Sequence, residues 1–455
     1  MDGRKDASVN DAYKYSKEMY GKLGIDIDEV LRKLNHFAIC MNCWPGDSFD
    51  NFVNPDAGLW DDIHATGNYP GRARTTQELR HDLNKAISLI PGKHKLNVHA
   101  MYAETDNGKV DRNELKPEHF KSWVDWAKGK KMGLDFNTTC FSHKMSTDGY
   151  TLNHPDRDVR NFWIDHCKAS RKIGEYFGGE LNKPSITSIW MPDGFKNIPQ
   201  DQLASRQILK ESLDEIFKEK IPVELNQDSI GSKLFSTDPE NYVVGSLEFY
   251  IGYAVKNNKL VCLDTGNFNS TGATADKISS LLLFCNEIVL NIRKQTAYKH
   301  INSATRPSYC NEFLMNVNRP VRCDSGYAVL LNDDLEGIAR DIAGGGFLEK
   351  VHIGLDFFDV SINRITAWVT GMRNMMKALL SAMLEPCRLD CSMTVSRHRF
   401  DFDGDFALRL AYVDELKSKT LRSIWDYYCI MNEVPVGEAW IDEIKAYQKD
   451  VLSKR

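Results

Sequence analysis

Short apolar runs rich in β-branched residues alternate along the chain with segments whose apolar residues recur at helical spacing. This alternation is typical of βα units that build a parallel sheet. The eight predicted strands are His36–Trp44, Leu96–Tyr102, Gly133–Thr139, Ser185–Pro192, Ser229–Phe235, Leu260–Asp264, Phe313–Val317 and Val351–Asp356. An open doubly wound sheet usually stops at about five to seven strands, so we expect these eight to close into an α/β fold, a (β/α)8 barrel of the TIM type.

Helix boundaries are marked by capping residues between these runs. Thr75 begins a T-x-x-E capping box with Glu78, in which the hydroxyl and the carboxylate each satisfy a free backbone N–H at the start of a helix. Pro117 suits the first turn of another helix, which we expect to end at Gly129. A long helix is predicted at Ile362–Leu384, after the eighth strand.

Beyond Pro386 the pattern changes to helical segments, which are clearest at Leu421–Tyr428 and Ala439–Leu452. The sequence therefore predicts a barrel at residues 1–385 and a helical extension at residues 386–455. An appended helical region more often serves subunit contact than chemistry, so we assign it that role.

One stretch of the sequence is repeated. The nine residues at Cys285–Arg293 read CNEIVLNIR, and 25 positions later Cys310–Asn318 reads CNEFLMNVN. A tandem duplication of about one strand unit is the simplest explanation, and only one copy can occupy the seventh strand position. We favour the second copy, because a segment reading RPVRCDS continues directly from it.

Composition and charge exclude several classes of partner. The chain has 42% hydrophobic and 27% charged residues, which suits a globular protein with a large core. Its net charge is −5 and no Lys/Arg run stands out, so we expect no nucleic-acid partner. The polar start of the chain does not resemble a secretory signal, and no window approaches the roughly 18 apolar residues that span a bilayer. We therefore expect a cytoplasmic protein that does not enter a membrane.

The chemistry of a barrel takes place at the carboxyl ends of its strands, because side chains from all eight strands converge there. The residues at the predicted ends form a polar ring rich in carboxylates, and they are His99, Asp135, Asn137, Trp190, Asp193, Lys233, Asp264, Asn267, Asn316, Asp324, Asp356 and Asp359. Such a ring suits a divalent cation held over a small polyol. The metal would polarise two neighbouring oxygens, while a lysine or an acid handles their protons.

Several longer strings along the chain resemble one family, L-rhamnose isomerase. The strings are ATGNYPGRAR (65–74), LKPEHFKSWVDWAK (115–128), GLDFNTTCFSH (133–143), FWIDHCKASRKIGEYFG (162–178), IWMPDGFK (189–196), SKLF (232–235), EFYIGYA (248–254), LDTGNF (263–268), RPVRCDS (319–325) and VHIGLDFFDVSINR (351–364). The resemblance runs in order from about residue 11 to residue 455. It implies a cytoplasmic homotetramer that interconverts L-rhamnose and L-rhamnulose, a small sugar substrate, with manganese or a similar ion.

The resemblance also implies two metal positions, and this chain departs from both. At the first, Asp264 and Asp356 match the family, whereas Gly231 replaces a glutamate and Asn316 replaces a histidine. At the second, Asp324 matches, whereas Asn267 replaces a histidine and Gly326 an aspartate. Asparagine still offers a neutral carbonyl oxygen to Mg²⁺, Mn²⁺ or Ca²⁺, but glycine offers no ligand atom. We therefore expect weakened binding of Mn²⁺.

Other positions of the family pattern are kept. Lys233 matches the family lysine beside the substrate oxygens, and together with Asp359 it is the predicted catalytic pair. His99, Phe141, Trp190 and Asp193 are the residues predicted to line the sugar pocket.

Three functions remain open on these residues. The chain is an active aldose–ketose isomerase that uses a single or relocated metal held by Asp264, Asp324 and Asp356. Alternatively, it is a weak or inactive relative that binds sugar or serves as a structural subunit. A third possibility is metal-free proton transfer through Lys233 and an aspartate, which would need a group that stabilises an oxyanion.

Overall fold

Eight parallel strands follow one another around a closed barrel. The computed structural model describes residues 3–42, 69–105, 110–141, 143–191, 193–195, 199–231, 242–265, 274–292, 329–356, 362–385 and 406–455. The barrel strands are β1 (Ile39–Asn42), β2 (His94–His99), β3 (Gly133–Asn137), β4 (Ser185–Trp190), β5 (Asn226–Gly231), β6 (Leu260–Asp264), β7 (Ile288–Ile292) and β8 (Val351–Leu355). Each strand pairs with the next in the chain, and β8 pairs with β1, so the predicted (β/α)8 barrel is confirmed.

Helices surround the barrel and extend beyond it. They are α1 (Gly3–Gly21), α2 (Ile27–His36), α3 (Thr76–Ile87), α4 (Lys121–Lys130), α5 (Arg157–Leu181), α6 (Gln202–Ile216), α7 (Leu247–Asn257), α8 (Ala275–Leu281), α9 (Asp333–Gly344), α10 (Arg364–Met383), α11 (Phe406–Met431) and α12 (Ala439–Asp450). A short antiparallel pair, Gly194–Phe195 with Tyr242–Val243, lies outside the barrel. No helix in the described ranges is long and apolar enough to cross a membrane.

The seventh strand corrects one prediction, because the first copy of the repeat forms it. Ile288 lies opposite Val261 of β6 on one side and opposite Val351 of β8 on the other. The predicted strand at Phe313–Val317 lies outside the described residues. Both copies carry the same alternation of residues, so the pattern could not separate them. The first copy follows α8 after only a few residues, and a short connection costs less conformational entropy than a long one.

Alternate residues of β7 serve two different cores, because successive side chains of a strand point to opposite faces. Ile288, Leu290 and Ile292 belong to the large core between the strands and the helices. Val289 belongs instead to a small, separate apolar cluster with Ile186, Leu260 and the partly buried Cys262. A barrel interior is filled by such layers of side chains, so the next inward residue, Asn291, is directed towards the mouth.

The start of α3 shows half of the predicted capping box. The hydroxyl of Thr75 accepts a hydrogen bond from the backbone N–H of Glu78 at 3.1 Å, as predicted. The carboxylate of Glu78, however, accepts from the backbone N–H of Arg74 at 2.8 Å and from its guanidinium. An ion pair with Arg74 is therefore made in place of the reciprocal bond to Thr75. The helix that begins near Pro117 also ends later than predicted, since Lys131 and not Gly129 caps it in a left-handed conformation.

The C-terminal helices pack against the same chain. The ring of Tyr427 in α11 stacks on Tyr13 of α1 with centroids 3.7 Å apart. The carboxylate of Asp82 in α3, which is fully buried, accepts hydrogen bonds from Arg455 at 2.8 Å and from Tyr447 of α12 at 2.7 Å. Arg364 of α10 donates to the same carboxylate at 3.1 Å. The end of the chain is thus tied to the barrel through one buried acid.

Candidate active site

Polar and aromatic side chains stand at the carboxyl ends of the strands. Those in the described ranges are Asn42, His99, Asn137, Trp190, Asp264, Asn291 and Asp356, and most of them are buried. Strand register places Asp264 opposite Asn291 and Trp190 opposite Gly231. Residues distant along the chain are therefore neighbours on one rim, as the sequence predicted. Asp135, also predicted there, lies instead within β3, where its carboxylate accepts from Lys95 at 2.5 Å and from the backbone N–H of Ile186 at 2.8 Å.

Two asparagines connect three strands at this rim. The side-chain nitrogen of Asn42 on β1 lies 3.4 Å from the side-chain oxygen of Asn291 on β7. The nitrogen of Asn291 in turn donates to a carboxylate oxygen of Asp356 at 3.3 Å. Neither asparagine was among the predicted site residues. Asn42 could have been found as the last inward residue of the first strand, and Asn291 as the counterpart of Asn316 in the first copy of the repeat.

The described residues do not by themselves fit a complete metal centre. Asp264 and Asp356 provide carboxylate oxygens, but within the described part of the chain no three His, Cys, Asp or Glu side chains are grouped to hold a metal ion. Gly231 contributes no ligand, and a Cβ atom built there would lie 2.9 Å from the Cβ of Cys262. The amide of Asn291 directs its nitrogen, which is no metal ligand, to Asp356.

Two of the predicted pocket residues are in direct contact. The rings of Phe141 and Trp190 meet edge to face, with centroids 5.6 Å apart and an angle of 88° between their planes. Aromatic pairs prefer this geometry because the positive edge of one ring faces the negative face of the other. Trp190 ends β4 and Phe141 lies shortly after β3, so the pair forms an apolar wall beside the polar rim.

His99 is the third predicted pocket residue that the structure describes, and it is neutral at physiological pH. It is fully buried at the end of β2 and packs against the ring of Tyr102 at 5.3 Å. Burial, together with the positive charge of Arg112, lowers the pKa of His99 to about 3. A neutral imidazole carries one donor and one acceptor, which suits hydrogen bonds to a hydroxyl.

Asp193 is held by the backbone of a neighbouring loop. Its carboxylate accepts hydrogen bonds from the backbone N–H groups of Thr151 at 3.0 Å and Asn153 at 2.9 Å, and also from the Thr151 hydroxyl. Burial raises the pKa of this carboxyl group, and these hydrogen bonds oppose the rise. The contacts explain why Asp193 is buried, and its predicted role in sugar binding stays a prediction.

The remaining predicted site residues lie outside the described ranges, and they are Lys233, Asn267, Asn316, Asp324, Gly326 and Asp359. For Asn316 the structure nevertheless brings a correction. The seventh strand position that it was assigned is filled by β7, where Asn291 holds the matching place of the repeat. Both copies carry an asparagine at this position.

Carboxylates, amides and two aromatic rings at the carboxyl ends of the strands define a (β/α)8 barrel protein with a polar rim at the end where such barrels carry their active sites. The model of the family described as L-rhamnose isomerase (RhaA) matches residues 7–301 and 298–455 of this chain. The chain therefore belongs to the L-rhamnose isomerase family. The match is divided at residues 298–301, between the two copies of the repeat.

Curated relatives match along nearly their whole length. The L-rhamnose isomerases of Salmonella newport (strain SL254) and Salmonella typhimurium are each 46% identical over 447 residues, covering 98% of this chain and 99% of the relative. Among solved structures, an L-ribulose 3-epimerase matches at 10% identity with a TM-score of 0.43, covering 79% of this chain and 98% of that one. The structural likeness is too weak to support an argument about function.

Proposed function

We propose that this protein is an aldose–ketose isomerase that interconverts L-rhamnose and L-rhamnulose. The observation that carries the proposal is the family match, which spans the barrel and the C-terminal helices. The pocket is consistent with it, because a 6-deoxy sugar presents both hydroxyl groups and an apolar methyl group. Carboxylates and amides stand on one side of the mouth, and the pair Phe141 and Trp190 forms an apolar wall.

The described side chains suit binding and orientation of the sugar. The neutral imidazole of His99 can exchange hydrogen bonds with a hydroxyl group without bringing a charge into the pocket. The apolar wall excludes water from one face of the ring. Lys233 and Asp359 stay the predicted pair that moves protons while hydrogen is transferred between the first two carbons of the sugar.

A divalent cation, manganese by family resemblance, is part of the proposal, and we propose that it is held weakly. The observations in favour are the absence of a side chain at Gly231 and the amide of Asn291, at a position where the resemblance implies an imidazole. The same observations support a second candidate function, in which the protein binds the sugar with little or no conversion. We further propose a cytoplasmic homotetramer whose subunit contacts use residues 386–455.

The test is the appearance of ketose when the purified protein, dialysed against Mn²⁺, is incubated with L-rhamnose. Asp264→Asn and Asp356→Asn should each lower turnover by about tenfold or more, because each removes a charged ligand. The matched control is Asp442→Asn, since the side chain of Asp442 is 81% exposed and remote from the mouth. Sugar binding without ketose formation would establish the second candidate, and failure to bind or convert L-rhamnose would overturn both.

A further inference from the structure

The loop that carries Phe141 into the pocket is held by a buried arginine. Arg112, which is only 2% exposed, donates from one guanidinium nitrogen to the backbone carbonyl of Phe141 at 2.6 Å. The same nitrogen donates to the carbonyl of Thr139. Because a guanidinium is planar and rigid, these two bonds define where the backbone around Phe141 lies.

His166 of α5 holds this arginine and the loop together. One ring nitrogen of His166 lies 2.8 Å from the backbone carbonyl of Arg112, and the other contacts the carbonyl of Thr138. A neutral imidazole has one N–H, so His166 donates a hydrogen bond to one of these two carbonyls and lies in contact with the other, between the segment of Arg112 and the loop that Arg112 holds. The position of the loop relative to the barrel is then determined by α5, which packs directly on β3 and β4.

The backbone of the loop would not adopt this shape unaided. Thr139 has a φ of +53°, in the left-handed region that a β-branched residue rarely occupies. Such a conformation persists only where the surroundings determine it, and it is commonest at functional sites. The amide N–H of Thr139 also donates to the side chain of Asn137 at 2.9 Å, so the turn is held from both sides.

We propose that Arg112, held by His166, is a positioning residue of the sugar pocket: it sets the place of Phe141 against Trp190 and thereby the shape of the apolar wall. The inference rests on the proposed function, since it takes the mouth of the barrel as the site of an aldose. Arg112 does not touch the sugar and acts through the carbonyl of Phe141.

The charge of Arg112 supports this role. Burial lowers the pKa of Arg112 to about 10, so the guanidinium stays protonated at neutral pH. Its charge adds to burial in lowering the pKa of His99 to about 3 and that of His166 to about 4. The same side chain therefore holds the wall and helps to keep the imidazole of His99 neutral.

The experiment compares Arg112→Met and Arg112→Lys with Arg373→Met. Arg373 is a matched control, because it is equally buried and donates to a backbone carbonyl, that of Leu89 at 2.8 Å, away from the mouth. Arg112→Met should raise KM for L-rhamnose about tenfold or more while changing kcat far less, since the wall is displaced from the sugar. Arg112→Lys should recover part of the loss, and Arg373→Met should lower Tm without moving KM.

A second readout does not depend on turnover. The fluorescence of Trp190, obtained by subtracting the spectrum of the corresponding Trp190→Phe variant, should change in Arg112→Met and in His166→Gln but not in Arg373→Met. If the unmodified protein neither binds nor converts L-rhamnose, the proposed function is wrong. The Trp190 fluorescence of the variants then tests by itself whether Arg112 positions Phe141 against Trp190. Equal loss of Tm in Arg112→Met and Arg373→Met, with KM and the Trp190 signal unchanged, would show that Arg112 only stabilises the fold. If Arg112→Met does not fold, KM and the Trp190 fluorescence are measured for Arg112→Lys and His166→Gln instead, and unchanged values in both variants would refute the positioning role.

Discussion

The side-chain nitrogen of Asn291 lies 3.3 Å from a carboxylate oxygen of Asp356, which joins the seventh and eighth strands at the mouth of the barrel. By the family resemblance, Asp356 is a retained metal ligand and Asn291 stands where a histidine is expected. The hydrogen bond thus joins two positions that the resemblance assigns to one metal site.

Restoring the replaced ligands should strengthen metal binding. We expect the unmodified protein to retain less than about one equivalent of Mn²⁺ after dialysis, because uncharged amide oxygens bind the ion weakly. The combined variant Gly231→Glu, Asn267→His, Asn291→His and Gly326→Asp should bind more Mn²⁺ and convert L-rhamnose faster. Metal content and ketose formation are the measurements.

The control for that experiment is Gly231→Ala in place of Gly231→Glu. Either residue places a Cβ atom 2.9 Å from the Cβ of Cys262, so both require the same small shift of β6. Only the glutamate adds a carboxylate, and the difference between the two variants isolates the ligand. Two tightly bound equivalents of Mn²⁺ and rapid turnover in the unmodified protein would show that its metal centre is not impaired.

Deleting residues 294–318 should leave the barrel folded. The deletion removes the second copy of the repeat, whereas β7 and its pairing with β6 and β8 are kept. We expect a cooperative thermal transition within a few degrees of that of the full chain. Deletion of residues 285–309 tests the alternative, since the second copy must then supply the strand. If the variant that lacks residues 285–309 folds and the variant that lacks residues 294–318 does not, the assignment of β7 to the first copy is wrong.

Replacing Asp82 should destabilise the protein strongly. Its carboxylate is fully buried and accepts from Arg364, Arg455 and Tyr447, so Asp82→Ala leaves two buried guanidinium groups without this acceptor. Removing one partner of such a buried network costs about 3–5 kcal/mol. Denaturant unfolding measures the loss, with Asp442→Ala on the surface as the control expected to change stability by less than about 0.5 kcal/mol. Equal effects of the two variants would refute the anchoring role of Asp82.

Stability should fall as the pH is lowered from about 6.5 to about 4. Burial lowers the pKa of His94 and His166 to about 4, below the ordinary value of 6.5. The unfolded chain therefore binds protons in this window that the folded chain does not. Within this pH window, each of these histidines lowers the free energy of unfolding by about 1.4 kcal/mol for each unit that the pH falls. His166→Gln should flatten the pH dependence of the free energy of unfolding, and an unchanged slope would show that His166 does not titrate in this way.

Much of the fold could be predicted because it depends on local pattern. Seven of the eight predicted runs overlap observed strands, and α10 at Arg364–Met383 lies within the predicted helix. The capping hydroxyl of Thr75 was also predicted, since it involves residues three apart. The partner of Glu78 was not, because Arg74 offers both a backbone N–H and a charge that compete with the reciprocal cap.

The sequence by itself determined the barrel and the family, because alternation of apolar residues and long matching strings are local properties of the chain. Only the tertiary structure decided which copy of the repeat forms β7, since both copies carry the same alternation of apolar residues in the sequence and this pattern cannot separate them. It also decided that Asn42 and Asn291 meet, and that Arg112 holds the loop of Phe141. These are contacts between residues remote along the chain, and closure of the barrel brings them together.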